Sequence, residues 1–232
     1  MARISIVVPA HNEEQNLPSL LEAHDALRRQ QKWDCEFVIV DDNSSDNTGK
    51  VADALAKKYA KVKVLHRNLN PGMGNALKDG TKLASGSIII WAMADKSDDP
   101  ATFPKMVAMV DAGYDMVFGS RYIKGGSRGD LAMHKALLSW GYSFTARLIA
   151  GIKVHDITNA FRCFKKEVFT SLKIESGDFA ISPEFALKAH KAGYKLGEVP
   201  TVYADRKAGK TTFKILKMGS RYVSMFRFIF SK

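Results

Sequence analysis

Cysteine is almost missing from this 232-residue sequence: Cys35 and Cys163 are the only two, and each lies inside an apolar segment. That excludes a disulfide scaffold and a zinc site, and it suggests buried thiols in a reducing compartment. No apolar run approaches the roughly 20 residues that a membrane-spanning helix needs. Met1-Ala2-Arg3 leads directly into a strand-like segment, so no signal peptide is expected. Linkers, repeats and low-complexity tracts are also lacking, and residues 1–232 are expected to form one domain with a full core. An apolar content of 46% with 25% charged residues is that of an ordinary soluble globular protein.

Acidic charge is scarce in one half. The formal net charge is +11, but from Ser120 to Lys166 nine Lys/Arg stand against Asp130 and Asp156, and from Asp205 to Lys232 eight stand against Asp205 alone. The rest of the chain is slightly acidic, so two regions are expected to handle two different ligands. Nucleic acid, the first candidate partner of a basic protein, is disfavoured: no recognised nucleic-acid motif is present, and the basic residues are not interleaved with aromatics in the usual way.

What is present is a repeating unit. Ile4-Ser5-Ile6-Val7-Val8, Phe37-Val38-Ile39-Val40, Val62-Lys63-Val64-Leu65 and Ile88-Ile89-Ile90-Trp91-Ala92 read as strands, and helical patterns of 10 to 15 residues separate them. This alternation predicts right-handed βαβ units and a mostly parallel, Rossmann-like sheet flanked by helices. Ligands of such sheets sit outside the carboxyl ends of the strands. Those ends carry Pro9, His11 and Glu13 after the first strand and Asp41 and Asp42 after the second. Gly72 and Gly74 follow the third, and Asp95, Asp98 and Asp99 follow the fourth. The carboxylates are placed to meet a ligand or to hold a divalent cation through hard oxygens, with a solvated Asp/Ser turn as the bland alternative. The glycine pair lacks the third glycine of a dinucleotide fingerprint. It reads either as room for helix α-carbons to approach a ligand or loop, or as a plain turn.

Further on, Met116-Val117-Phe118 predicts a strand leading to Arg121, and a helix is expected from about Leu131 to Ala150 with Lys135 and Ser139 on one face. A helix around Ser182 to Phe185 and a strand pair near Gly197 to Asp205 follow. Asn16 is expected to cap the first helix. Glu184 suits a helix start, and His134, His155 and His190 lack metal-ligand spacing. The segment 211–232, with Lys214, Lys217 and Arg221 on one helical face among aromatics, reads either as an amphipathic helix on an anionic membrane surface or as a helix packed on the domain.

Taken together, Val8-Pro9-Ala10-His11-Asn12-Glu13-Glu14, Val40-Asp41-Asp42-Asn43-Ser44, Gly74-Asn75-Ala76, Ala94-Asp95, Gly119-Ser120-Arg121-Tyr122, Asp156 to Arg162, Glu198-Val199-Pro200 and Asp205 to Lys210 form a pattern spread over nearly the whole chain. It resembles the glycosyltransferase family 2 enzymes of the dolichol-phosphate mannose synthase type. The resemblance implies a GT-A fold, a nucleotide-diphosphate sugar such as GDP-mannose or a UDP-sugar, and Mg²⁺ or Mn²⁺. It also implies inverting transfer to a polyprenyl phosphate by a peripheral enzyme on the cytoplasmic membrane face. By position, residues 1–118 would form the nucleotide-sugar half and 119–210 the acceptor half. Pro9, His11, Glu13 and Asp42 would line the nucleoside pocket, with Asp41 beside it. Asp95 and Ser97 would contact the metal, Arg121, Lys135 and Ser139 the acceptor phosphate, and Arg206 the donor phosphates.

Three departures stand out. Met93 replaces the first carboxylate of the usual D-x-D, and a thioether is a poor ligand for a hard cation. Either Asp98 or Asp99 compensates, or the cation is held mainly by Asp95 and the diphosphate. His11 stands where the pattern has an aromatic beside the base, and Lys135 where it has an arginine, which keeps the charge and loses the bidentate fork. Asp156 reads either as a participant at the reacting centre or as a loop-ordering residue. The rival expectations are a transferase with a soluble saccharide acceptor and a catalytically reduced nucleotide-sugar binder.

Overall fold

Four β-branched runs become four parallel strands. The computed structural model describes residues 3–204 and 221–230. Its first half alternates β1 (Ile4–Ala10), α1 (Leu17–Gln30), β2 (Cys35–Asp42), α2 (Thr48–Lys58), β3 (Val62–Arg67), α3 (Met73–Leu83) and β4 (Ile88–Trp91). A short 3₁₀ turn, Pro100–Thr102, then leads into α4 (Phe103–Asp111) and β5 (Met116–Ser120). The second half adds α5 (Met133–Ala150), β6 (Arg162–Lys165), α6 (Lys166–Ser171), α7 (Ile181–Lys191), β7 (Leu196–Pro200) and α8 (Arg227–Phe230).

The seven strands form one sheet in the order β3-β2-β1-β4-β6-β5-β7. Every neighbouring pair is parallel except those made by β6, which runs antiparallel between β4 and β5. Side chains alternate across the sheet, so β1 sends Val7 to one face and Ile6 and Val8 to the other, while β4 sends Trp91 one way and Ile90 the other. Both faces are covered, which is why these strands are apolar without interruption. Trp91, Phe164, Phe169 and Phe185 pack edge to face or tilted at the centre of one layer.

Several sequence expectations are corrected. The strand pair near Gly197 to Asp205 is one strand, β7, followed by a single bridge between Ser127 and Val202, while Asp205 lies outside the described residues. Asn16 holds the N-cap position of α1, but its amide donates to Glu13 Oε2 at 2.6 Å and caps nothing. Gly74 meets a loop: a Cβ there would lie 2.6 Å from the Asp178 carbonyl oxygen, so α3 starts directly against the 177–178 backbone. In the C-terminal segment, the described part buries Met225 and Phe228 in the core, and Tyr142 of α5 packs its ring against Tyr222 and Phe226. Residues 221–230 therefore realise the packed alternative, and 211–220 lie outside the described residues.

Arg162 begins β6 and is fully buried. Its guanidinium donates to the carbonyls of Asn159, Ala160 and Ser182 and lies over the Trp91, Phe118 and Phe185 rings. Burial pulls its pKa down to about 9, against the charge of Asp156. Glu184, also fully buried, accepts the backbone N–H groups of Glu175 and Ser176 and pairs with Lys188 at 2.6 Å, anchoring the loop before α7.

Candidate active site

Three strand mouths, those of β1, β2 and β4, each carry a non-glycine residue in the left-handed region: Asn12 at φ 59, Asn43 at φ 55 and Lys96 at φ 63. Such backbone is held only where surroundings over-determine it, and it gathers at ligand sites. Here the bracing is mutual. Asn12 accepts the Ser45 N–H at 2.8 Å and its own N–H donates to Ser44, while His11 Nδ1 sits 2.9 Å from the Asp42 carbonyl oxygen. Glu13 is buried, with its N–H donating to Thr48 Oγ1 at 2.7 Å. Pro9 pairs with Val40 one residue before the β1 end.

The two aspartates of β2 do different work. Asp42 is buried with one oxygen on the Arg67 guanidinium and the other accepting the Gly72 N–H at 2.6 Å, so it ties β2 to the end of β3 and the start of α3. Asp41 accepts the Ser44 N–H at 3.2 Å and lies 3.1 Å from His66 Nδ1. Hydrogen bonds to Asp41 and Asp53 raise the pKa of His66. Arg67 and His66 were not singled out in the sequence. The signal available was a strand ending in two basic residues beside one ending in two acids.

Past β4, Asp95 Oδ1 accepts the Ser97 N–H at 3.1 Å, a turn that presents the Asp95 carboxylate at the edge of the site. Asp99 is consumed as the cap of the 3₁₀ turn, accepting from Ala101 N. Asp98 is bound into the same turn. It accepts the Met93 N–H at 2.8 Å, and burial, joined by the charge of Asp95, pushes its carboxyl up to about 7. Met93 itself packs its side chain against the apolar cluster around Trp91. No group of three metal-ligating side chains exists among the described residues. The donor chemistry of Asp95 and Ser97, hard oxygens at the open end of the sheet, nevertheless fits a divalent cation that takes its remaining oxygens from a diphosphate.

The shift of Asp98 sets a pH dependence. Its carboxyl ionises at 3.8 when unfolded and near 7 when folded, so folding resists the ionised form. The resulting loss of stability is absent below pH 3.8, grows between the two values and is constant above the upper one. Asp98→Asn keeps the acceptor for Met93 N–H and removes the charge. It is expected to raise Tm at pH 8 by roughly 5–10 °C, a gain of up to about 4 kcal/mol, and to leave it unchanged near pH 3.5. Equal shifts at both pH values in a calorimetric scan would contradict this.

Across the crevice, Arg121 follows β5. Its Nε and Nη2 grip Asp156 at 2.7 and 2.9 Å, and Nη2 also donates to Ser139 at 3.0 Å and Thr158 at 3.2 Å. Ser139 accepts from Tyr122 OH at 2.9 Å, and Tyr122 OH also reaches the Ala136 carbonyl, which fastens α5 to this cluster. Burial pulls the Arg121 pKa down, but the charge and hydrogen bonds of Asp156 more than reverse it, and the group stays a cation. Nη1 has no partner among the described residues. Lys135, one turn before Ser139, is half-buried. Asp156 is fully buried with both oxygens on Arg121, so its geometry is that of a residue holding the guanidinium, not of one facing a reacting centre.

The charges of Asp95 and Arg121 both act on Asp98, so the acidic and basic halves adjoin. Segment 201–204 joins them physically: Ser127 N–H donates to Thr201 O, Tyr203 N–H to Ser127 O, and Ala204 N–H to Ser97 O. Arg206 lies outside the described residues. Thr158 and Tyr122 belong to quoted motifs but were not assigned a role. His155 pairs with Glu198, His190 with the Ala150 carbonyl, and His134 is exposed, none in a metal arrangement.

Residues 5–172 match the family model described as Glycosyl transferase family 2. A dolichol-phosphate mannosyltransferase of Pyrococcus furiosus is 33% identical over 215 residues, covering 91% of this chain, and the chain spans 59% of that relative's length. A polyprenol monophosphomannose synthase of Mycolicibacterium smegmatis is 29% identical over 237 residues, covering 94% of this chain and 88% of the relative. Among solved structures, glucosyl-3-phosphoglycerate synthase from Mycobacterium tuberculosis, crystallised with Mn²⁺ and uridine-diphosphate-glucose, superposes with a TM-score of 0.75 at 18% identity over 100% of this chain and 80% of that one. That likeness shows the shared fold, the GT-A arrangement expected from the sequence.

Proposed function

Because the chain belongs to glycosyltransferase family 2, we propose that it moves a sugar, with inversion, from a nucleotide-diphosphate sugar to a polyprenyl phosphate at the cytoplasmic face of a membrane. The observation that carries this reading is Arg121: a buried cation already oriented by Asp156, set beside the Asp95 mouth, with Lys135 and Ser139 one turn apart on α5. Phosphate is the chemistry such a cluster recognises. The names of the two relatives contain dolichol phosphate and polyprenol monophosphomannose, which agrees with a lipid phosphate acceptor.

In this account Pro9, His11, Glu13 and Asp41 form the wall for the nucleoside, with Asp42 holding that wall in shape. Asp95 and Ser97 would hold Mg²⁺ or Mn²⁺. When bound, the cation supplies charge neutralisation to the leaving diphosphate. Arg206 is assigned the same anion on the sequence resemblance alone. The acceptor phosphate is already ionised at neutral pH, so no strong general base is required of this chain. Arg121 Nη1 and Lys135 orient the phosphate, and Asp156 positions Arg121 through its two hydrogen bonds. The chain's contribution is thus alignment of two anions and electrostatic relief. Among the described residues no helix is long and apolar enough to cross a membrane, and membrane contact is assigned to the protein's surface.

The test is transfer itself. The full chain is incubated with labelled GDP-mannose or UDP-sugars, Mg²⁺ or Mn²⁺ and a polyprenyl phosphate, and label is counted after organic extraction. Label in the organic phase is the expected result. Transfer only to a water-soluble saccharide would replace the lipid acceptor, and binding of the donor without transfer would reduce the protein to a nucleotide-sugar binder.

A further inference from the structure

Two acid–base pairs face each other across β2 and β3 where both strands end. In the parallel register Asp42 stands opposite Arg67, and Asp41 stands opposite His66. Arginine keeps its charge at any working pH, whereas histidine is the side chain that loses it near neutrality. The first pair is therefore permanent and the second conditional.

His66 has a second acid on its other side. Nδ1 lies 3.1 Å from Asp41 Oδ2, and Nε2 lies 3.0 Å from Asp53 Oδ1 of α2. Ionised carboxylates only accept, so both ring nitrogens have to donate, and only the imidazolium does that. A neutral ring would turn a lone pair on one of the two carboxylates. The same hydrogen bonds, that to Asp41 first, hold the His66 proton above the ordinary value of 6.5. α2 closes on the arrangement. Gly49, one turn before Asp53, comes so near that a Cβ there would lie 2.7 Å from Asp41 Oδ2 and 3.3 Å from the His66 ring. Asp41 from β2 and Asp53 from α2 are the charged groups that act on His66, while Arg67, its neighbour along β3, is engaged with Asp42 and Asp79.

We propose that His66 is a positioning residue of the donor site: as an imidazolium it straps Asp41 to Asp53 and so fixes the Asp41 carboxylate in the nucleoside wall. The proposal rests on the nucleotide-sugar reading above, which places Asp41 in that wall. When the ring loses its proton, the strap from α2 through His66 to β2 breaks at one end, whichever tautomer forms. Asp41 then loses the cation beside it. This contribution is full below pH 6.5 and is lost as pH rises through the raised value of the folded protein. Donor binding should weaken with it.

The experiment is calorimetric titration of the full chain with GDP and with UDP, each with Mg²⁺, from pH 5.5 to 9. Wild type is compared with Asp53→Asn and His66→Gln. In wild type the dissociation constant should rise about fivefold across the titration of His66. Asp53, whose side chain is 54% exposed, lies outside the nucleoside wall. Its replacement removes one of the two acids that hold the proton, so the rise should move to lower pH while binding at pH 5.5 stays within about twofold of wild type. His66→Gln should bind at every pH as wild type does at pH 9. Asp98 and the diphosphate titrate alike in all three proteins, so the differences isolate His66. A merely structural His66 would give a Gln variant weakened equally at all pH values and an Asn variant with an unmoved midpoint, and that result overturns the proposal. If His66→Gln melts early, histidine NMR of wild type and Asp53→Asn decides: a His66 midpoint above 6.5 that falls in the variant is expected, and equal midpoints overturn the proposal. Binding that is flat in pH defeats the proposal alone. No binding of either nucleotide at any pH defeats the nucleotide-sugar reading and the proposal with it.

Discussion

Replacing Asp95 by Asn is expected to lower the transfer rate by about a thousandfold while leaving Tm within a degree or two of wild type. The carboxylate lies in a turn beyond β4, where Ser97 N–H fixes Oδ1 at 3.1 Å, and asparagine can accept that same bond. What asparagine cannot supply is a negative oxygen for the proposed cation. With Met93 packed into the apolar layer, no carboxylate at that position shares the load. Asp98 is the nearest alternative, but burial resists its ionisation. The defect should therefore persist at saturating Mn²⁺. A steady-state measurement showing near-normal turnover for the variant would remove Asp95 from the site.

Asp156→Asn should produce the largest loss of stability. It leaves the Arg121 guanidinium, 8% exposed, without the carboxylate that grips it at two nitrogens. Removing one partner of a buried pair costs about 3–5 kcal/mol, because the remaining charge is stranded. For a chain of this size that corresponds to a fall in Tm of about 10 °C or more. Urea unfolding of the variant checks the figure. Replacing both partners together, as Arg121→Met/Asp156→Leu, should recover much of the stability and none of the acceptor use. A single variant as stable as wild type would show that Arg121 is not held as described.

The sheet and its acidic edge were legible because they are written locally. β-Branched runs ending in Pro9, Asp41-Asp42 and Asp95 announce buried parallel strands and their mouths, and the 3.6-residue periods between them announce the crossovers. β6 was not legible. It is four residues long, Arg162–Lys165, and it is a strand because β4 and β5 flank it, a fact of tertiary pairing. The roles of Asp42 and Asp156 were also hidden, since their partners Arg67, Gly72 and Arg121 lie 25 to 35 residues away in sequence. Arg162 illustrates the same limit from the other side: it counts toward the basic half of the chain yet spends its charge on buried carbonyls and rings. The helix over α5 could be read from its residues, but which of its faces turns outward depends on the small side chains it packs with.

The most direct measurement of a separate acceptor-phosphate pocket is the kinetics of Lys135→Ala. Lys135 is half-buried on α5, so its removal spares the fold. With Arg121 still in place, the KM for polyprenyl phosphate should rise about tenfold or more, a loss of one charge-assisted contact. The KM for the nucleotide sugar should stay within about twofold. Equal changes in both constants, or none in either, would contradict a pocket in which α5 and Arg121 hold the acceptor phosphate apart from the donor diphosphate.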